Sequence, residues 1–390
     1  MTYLTSGFRD VVASAAKRAR EPIAELTTRL TEVPAPTGDE GDRAALLARI
    51  LEERGFEDVR TDDLHDVTAV IRGKRSDRCL LLAAHTDTVF PRSVNITVTR
   101  EGDRLKAPGV GDNTISVATV VQLKAVLEEL GVEPDVDIMV TGNVGEEGLG
   151  DLRGMRAVMD ANPDIGAAIA VEGHALGRIT HQGVGSRRLE VTVTGPGGHS
   201  WGDFGRPSAI HAAARLVARL DDISLPTNPK TALNVGILEG GISVNTIAPE
   251  ARMVIDMRSL EQEALEDLVR EVQGQIDAVA ADDLQVKTTV VGDRPAGRLP
   301  ADQGLVPIAQ EALALVGIEA SFDASSTDAN IPISRGIPAA CIGVASGGNA
   351  HREDEYIDLE LVPTGVTQLA MVTLEAARLL AEDRLIIVTE

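Results

Sequence analysis

The stretch LLLAAHTDTVF, residues 80–90, decides how the fold is read. Residues 79–84 form a short, continuously apolar, β-prone run, the pattern of a strand covered on both faces in a parallel sheet. The carboxyl end of such a strand is where open α/β sheets bind ligands. Here it delivers His85 and Asp87, two positions apart, so in extended geometry both project to one side and Thr86 to the other. One chemical object could touch both. A strand-capping histidine followed by a turn-forming aspartate accounts for the same stretch, so the decision rests on what the rest of the chain brings to that edge.

Working outward, residues 8–33 read as a helix and 40–54 as a second one, stopped at Gly55. DVTAVIRG (66–73) and RCLLLAAH (78–85) are consecutive strands. NTISVATVVQLKAVLEELG (113–131) carries apolar residues at helical spacing, whereas DVDIMVTGNVGEE (135–147) and IGAAIAVEG (165–173) are apolar strands ending in acids. Strands alternating with helices indicate an α/β sheet with parallel strands at its centre. From about Gly185 the texture changes. RRLEVTVTG (187–195), TALNVGILEGG (231–241), ARMVIDMRS (251–259) and LQVKTTVVG (284–292) read as strands, with helices over 207–220 and 261–281. The order strand, helix, strand, strand, helix, strand is that of a ferredoxin-like α+β domain. The α/β pattern resumes near Arg298 with a helix over 306–316, a strand PAACIGV (338–344) and a helix over 362–381. The expected fold is a discontinuous α/β domain with a mostly parallel central sheet, residues 1–184 and 295–390, interrupted by a ferredoxin-like domain over 185–294.

Composition narrows the function. A chain of 390 residues exceeds the size at which one core keeps growing, and 43% hydrophobic with 25% charged residues is ordinary for a globular protein. The formal net charge of −23 argues against nucleic acid or an anionic membrane as partner. Cys79 and Cys341 lie in apolar runs and read as small hydrophobes, not as a disulfide framework. The amino terminus lacks the apolar core of a secretory signal, and no segment reaches the length of a membrane span, so the expected location is the cytoplasm.

Acids and histidines recur at one sheet edge: His85 and Asp87, Asp112 in PGVGDNT, Glu146 and Glu147 in TGNVGEEGLG, Glu172 in AVEGH, and His351 in GGNAHREDEY. Burying so many carboxylates together costs on the order of several kcal/mol per uncompensated ion. A pair of divalent cations removes the penalty, and imidazole with carboxylate but no thiolate suits zinc, manganese or cobalt.

The motifs HTDTV, GVGDN, GEEGLG, VEG, GPGGHS, GGISVNTIAPEARMVIDMR, STDAN and GGNAHREDEYI, in this order, resemble those of the M20 metallopeptidases over essentially the whole chain. The resemblance implies two divalent metal ions per subunit, zinc first and manganese or cobalt as alternatives. His85, Asp112 and Glu172 would hold one, and Asp112, Glu147 and His351 the other, with Asp112 bridging. It implies Glu146 as the general base of amide hydrolysis, Asp87 as the acid that orients His85, and a cis peptide bond after Asp112. His199 of the inserted domain would reach the partner subunit's site to stabilise the oxyanion, which implies a homodimer and makes the inserted domain a dimerisation and lid domain. Asn245 and Arg258 match substrate-contacting positions, although Arg258 reads equally as a surface residue at a strand end.

SSTDANIPISRGIP (325–338) is most similar to the peptidase T branch, so the implied activity is removal of residues from the amino terminus of short peptides. An N-acyl amino acid deacylase, a carboxypeptidase and an inactive binding protein of the same fold are the alternatives. The chain departs from many relatives in Asn113, where a charged residue often follows the bridging aspartate, and in Trp201, where smaller residues are usual. His65, His174, His181 and His211 match no motif and read as structural or surface residues. The glycine-rich stretches lack a P-loop lysine, and no G-x-S-x-G elbow occurs.

Overall fold

The apolar run forms strand Cys79–His85, buried along its whole length. Alternation sends Leu80, Leu82 and Ala84 into one core and Cys79, Leu81 and Ala83 into a second core on the opposite face. Truncating a residue such as Leu82 to alanine there costs about 2–5 kcal/mol. The structure, a computed structural model, describes residues 2–280 and 283–387. Residues 1 and 388–390, at the ends of the expected α/β domain, and 281–282, at the end of the expected helix 261–281, lie outside the described residues.

The chain divides into two compact units, Met1–Gly183 with Arg298–Glu390, and Val184–Gly297. In the first, Cys79–His85 lies between Asp137–Asn143 and Ile165–Glu172, parallel to both, and Ala339–Gly343 is parallel to Ile165–Glu172 on its far side. Antiparallel strands extend the sheet, Val67–Ile71 and Glu57–Thr61 at one end and Arg178–Gly183 at the other. Register places His85 opposite Asn143 and Glu172 opposite Gly343, so the carboxyl ends of the central strands line up. Helices Ser6–Thr31, Gly41–Glu53, Ile115–Leu130, Leu305–Leu315 and Val362–Ala381 fill one core. Helices Arg153–Ala161 and Asn330–Ser334 fill the other. Both faces are therefore covered, which is why these strands read as continuous apolar runs. Gly131 ends Ile115–Leu130 in the left-handed region, φ 63°, with its N–H turned back to the carbonyls of Leu127 and Glu128.

Several elements escape the sequence pattern: helix Arg153–Ala161, strand Arg178–Gly183, and Ser321–Ser325 paired parallel to that strand. A small antiparallel sheet also forms, ordered Ser346–Gly348, Tyr356–Asp358, Arg104–Lys106, Thr99–Glu101. Its first two strands frame the turn that carries His351, whose φ of 64° lies in the left-handed region, an uncommon conformation for a residue with a side chain.

In the second unit the strands run in the order Thr231–Gly240, Glu250–Ser259, Gly185–Thr194, Gln285–Arg294, each pair antiparallel. That is chain order second, third, first, fourth, the ferredoxin-like arrangement. Helices Ala209–Asp221 and Gln262–Asp277 close a separate core over it with Leu189, Val191, Met253 and Ile255. Thr231–Gly240 is an edge strand, with Ile237 and Leu238 exposed. No helix among the described residues is long and apolar enough to cross a membrane.

Candidate metal centre

Asp112 stands in the turn between Gly109 and helix Ile115–Leu130, and its two carboxylate oxygens part to different histidines. Oδ1 is 3.1 Å from His85 Nε2 and Oδ2 is 3.1 Å from His351 Nε2. Glu172 Oε1 lies 3.8 Å from His85 Nε2, and Glu147 Oε1 lies 3.0 Å from His351 Nε2. His85, Asp112 and Glu172 offer one ligand atom each within 4.8 Å of one another, and so do Asp112, Glu147 and His351. The Asp112–Asn113 bond is cis, and Asn113 Nδ2 donates to the Val171 carbonyl at 2.8 Å.

The protonation pattern of this cluster tests whether cations fit. Burial opposes charge on Asp112, yet hydrogen bonds from His351 and His85 hold its carboxyl well below the usual range. Burial also opposes charge on His85, but Asp112, Asp87 and the nearby Glu172 and Glu146 raise its imidazole well above the ordinary value. Hydrogen bonds to Asp112 and Glu147 raise His351 to about 10. Burial raises Glu172 well above the carboxylate range, against the attraction of His85, with Asp112, Glu146 and Asp328 adding to the rise. The shifts on His85, His351 and Glu172 all favour the protonated form, which counters a surplus of buried acid. Divalent cations would do the same and displace those protons, and a nitrogen and oxygen donor set with no thiolate fits zinc or a neighbouring first-row metal.

Asp87 is fully buried behind His85. His85 Nδ1 donates to its main-chain oxygen at 3.1 Å and stands 3.5 Å from its Oδ1. The carboxylate also accepts from the main-chain N–H groups of Glu146 and Glu147, both at 3.0 Å, and from the Thr37 hydroxyl at 2.8 Å. Burial pushes this carboxyl up, and His85, the Glu147 N–H and Thr37 more than reverse it, so it lies below its ordinary value. One aspartate therefore fixes both the His85 ring and the turn presenting Glu146 and Glu147. Glu146 is buried, and its charge acts on both His85 and Glu172.

The remaining candidates lie in the second unit. Gly198–His199 pairs with Thr246–Ile247, and Ser200 N donates to the Asn245 carbonyl at 3.0 Å, which brings His199 and Asn245 into one corner. Arg258 lies on strand Glu250–Ser259 with Nε donating to Asp256 Oδ2 at 2.7 Å. Sequence reasoning passed over Thr37, the buried Asn143–Asp328 hydrogen bond of 2.7 Å, and Glu355, which accepts from Asp112 N at 2.7 Å. Asn143 had a detectable signal, since it ends a strand beside His85. Glu355 had none, because it is held mainly by main-chain N–H groups.

The family model for Peptidase family M20/M25/M40 matches residues 81–375. The chain belongs to this family. Membership makes it a hydrolase of peptide or amide bonds, as the motif resemblance implied. Carboxypeptidase G2 from Pseudomonas sp. is 24% identical, over 91% of this chain and 89% of that one. Aminopeptidase PepT from Bacillus cereus superimposes with a TM-score of 0.76 at 21% identity, covering 92% of this M20/M25/M40 chain and 99% of that one. YXEP from Bacillus subtilis, described as a dinuclear metal-binding peptidase of family M20, gives a TM-score of 0.68 at 17% identity, covering 92% and 98%. At these identities the solved structures establish a shared fold.

Proposed function

We propose that the chain is a two-metal exopeptidase of short peptides. The observation that carries the reading is the split of the Asp112 carboxylate, one oxygen 3.1 Å from each of two imidazoles. His85, Asp112 and Glu172 would hold one ion, and Asp112, Glu147 and His351 the other, zinc or else manganese or cobalt. When bound, such ions acidify a water and polarise the scissile carbonyl. Glu146 takes the proton of the attacking water and returns it to the leaving nitrogen. Asp87 keeps the His85 ring and the Glu146 main chain in place during that transfer.

His199 is assigned to the carbonyl oxygen. Its Nδ1 accepts from the main-chain N–H groups of Trp201 and Gly202 at 3.2 and 3.3 Å, which puts the ring proton on Nε2, the donor an oxyanion needs. We assign Val184–Gly297 the role of dimerisation and lid domain, with His199 supplied from a second copy of the chain. The edge strand Thr231–Gly240 and the exposed Trp201, Phe204, Ile242 and Val244 support a homodimer. Asn245 and Arg258 are assigned to substrate contact, Asn245 with the better support because it lies beside His199.

Amino-terminal trimming is the reading favoured by SSTDANIPISRGIP, and carboxy-terminal trimming is favoured by the similarity to carboxypeptidase G2. The test is a panel of tripeptides with either end blocked, assayed with added zinc, manganese or cobalt. Cleavage that survives carboxy-terminal amidation but not amino-terminal acetylation supports the first. The reverse pattern overturns it, and cleavage of N-acyl amino acids alone identifies a deacylase.

A further inference from the structure

Glu355 ends the charged run HREDE, yet its side chain is wholly buried. Both of its oxygens are engaged. Oε2 accepts from Gly109 N at 2.7 Å, while Oε1 accepts from Gly111 N at 2.9 Å and Asp112 N at 2.7 Å. His174 Nε2 lies 2.8 Å from Oε1 and donates to it. His174 Nδ1 is buried with no hydrogen-bond partner among the described residues, so the contact with Glu355 is what orients the ring. The turn is closed tightly over this pair: a Cβ at Gly111 would overlap the His174 imidazole and crowd Glu355 Oε1, and a Cβ at Gly173 would overlap the Gly111 carbonyl.

We propose that Glu355, backed by His174, is a positioning residue that holds Asp112 between the two cation sites. This rests on the reading of Asp112 as the ligand shared by both ions. A shared carboxylate must present its two oxygens in two fixed directions, so the main chain that carries it has to be pinned. Glu355 pins it at residues 109, 111 and 112 from a single group. Only a carboxylate can do so, because the turn offers N–H donors to both oxygens and an amide would set its own N–H against one of them. Partners one step removed from a metal ligand typically change metal affinity 10- to 100-fold when lost.

The test uses full-length, metal-free protein and cobalt(II) titration against a competing chelator, with thermal unfolding followed by circular dichroism. Glu355→Gln is expected to weaken cobalt binding by about 10- to 100-fold, at both sites because Asp112 serves both, and to cut the metal-induced rise in Tm. Asp112→Asn, run alongside, is expected to abolish tight binding of both ions. If Asp112→Asn keeps both ions at wild-type affinity, the shared-ligand reading fails and the proposal with it. If Asp112→Asn loses them while folded Glu355→Gln binds as wild type, the positioning role alone is overturned, even if the metal-free Tm has dropped, since that drop marks a merely structural residue. Should Glu355→Gln not fold, His174→Gln carries the test: a loss of about tenfold supports the proposal, and unchanged affinity overturns it.

Discussion

Asp87→Asn is the substitution that most directly probes how the site is held. The carboxylate receives two main-chain N–H groups at 3.0 Å and a hydroxyl at 2.8 Å, and it is fully buried. Asparagine keeps one acceptor oxygen and turns the other into an NH2 group. The less costly orientation puts that NH2 in place of Oδ2, because the Thr37 hydroxyl can reverse and accept. The Glu147 N–H then faces a donor and stays unsatisfied in a buried setting. That costs about 1–3 kcal/mol, and loss of the charge on the remaining bonds brings the expected total to about 2–4 kcal/mol. The measurement is urea unfolding of metal-free protein by far-ultraviolet circular dichroism; the lone tryptophan, Trp201, is 88% exposed and reports poorly on unfolding. The folded carboxyl titrates below its ordinary value. Its contribution is therefore present above the unfolded value of about 3.9 and is lost as the pH falls through the folded one, so the gap between wild type and variant is widest at pH 7 and narrows below about pH 4. Cobalt affinity should fall about 10- to 100-fold as His85 loses its orientation. A variant within about 0.5 kcal/mol of wild type at pH 7, with unchanged cobalt affinity, refutes the reasoning.

Glu146→Gln should keep both ions and lose about 10²- to 10⁴-fold in turnover, and a variant with more than about a tenth of wild-type rate means another group carries the proton. Asp66, buried and raised to about 8 by its burial and by Asp62, accepts from Val144 N at 2.8 Å through Oδ1. Its folded value lies above the unfolded one, so wild type loses stability as pH rises from about 4 to 8. Asp66→Asn, which keeps the Val144 bond, should gain on wild type by a few kcal/mol across that interval, about 1.4 per unit at most; a constant difference from pH 5 to 9 contradicts this. His199→Ala and Glu146→Gln, each nearly inactive alone, should regain activity when mixed and allowed to exchange subunits, because one site of the heterodimer then has both groups. No recovery after verified exchange places the action of His199 within its own chain or nowhere.

What could be read from the sequence follows from where the determining information resides. The central strands were legible because burial on both faces leaves an apolar run, as in residues 79–84, and helix Ile115–Leu130 because spacing and Gly131 agree. Strands Arg178–Gly183 and Ser321–Ser325, RITHQG and SFDAS, carry no such pattern; they are strands because a neighbouring strand offers its hydrogen bonds. The three-residue strands around Arg104–Lys106 and Tyr356–Asp358 are set by their partners in the same way. The same division runs through the site. His85, Asp112, Glu147, Glu172 and His351 stand where a strand or glycine-rich turn ends in a group that is expensive to bury, and that conflict is visible in one dimension. Glu355 is fully buried, but it sits among charged neighbours in HREDEY and so imitates a solvated turn. It accepts from the main-chain N–H groups of residues 109, 111 and 112, more than 240 positions away, and from His174, 181 positions away. A backbone amide has no sequence signature beyond the glycines that let it come close. The groups that do chemistry can thus be nominated from side-chain identity, whereas the groups that aim them become visible only when the main chain is folded around them.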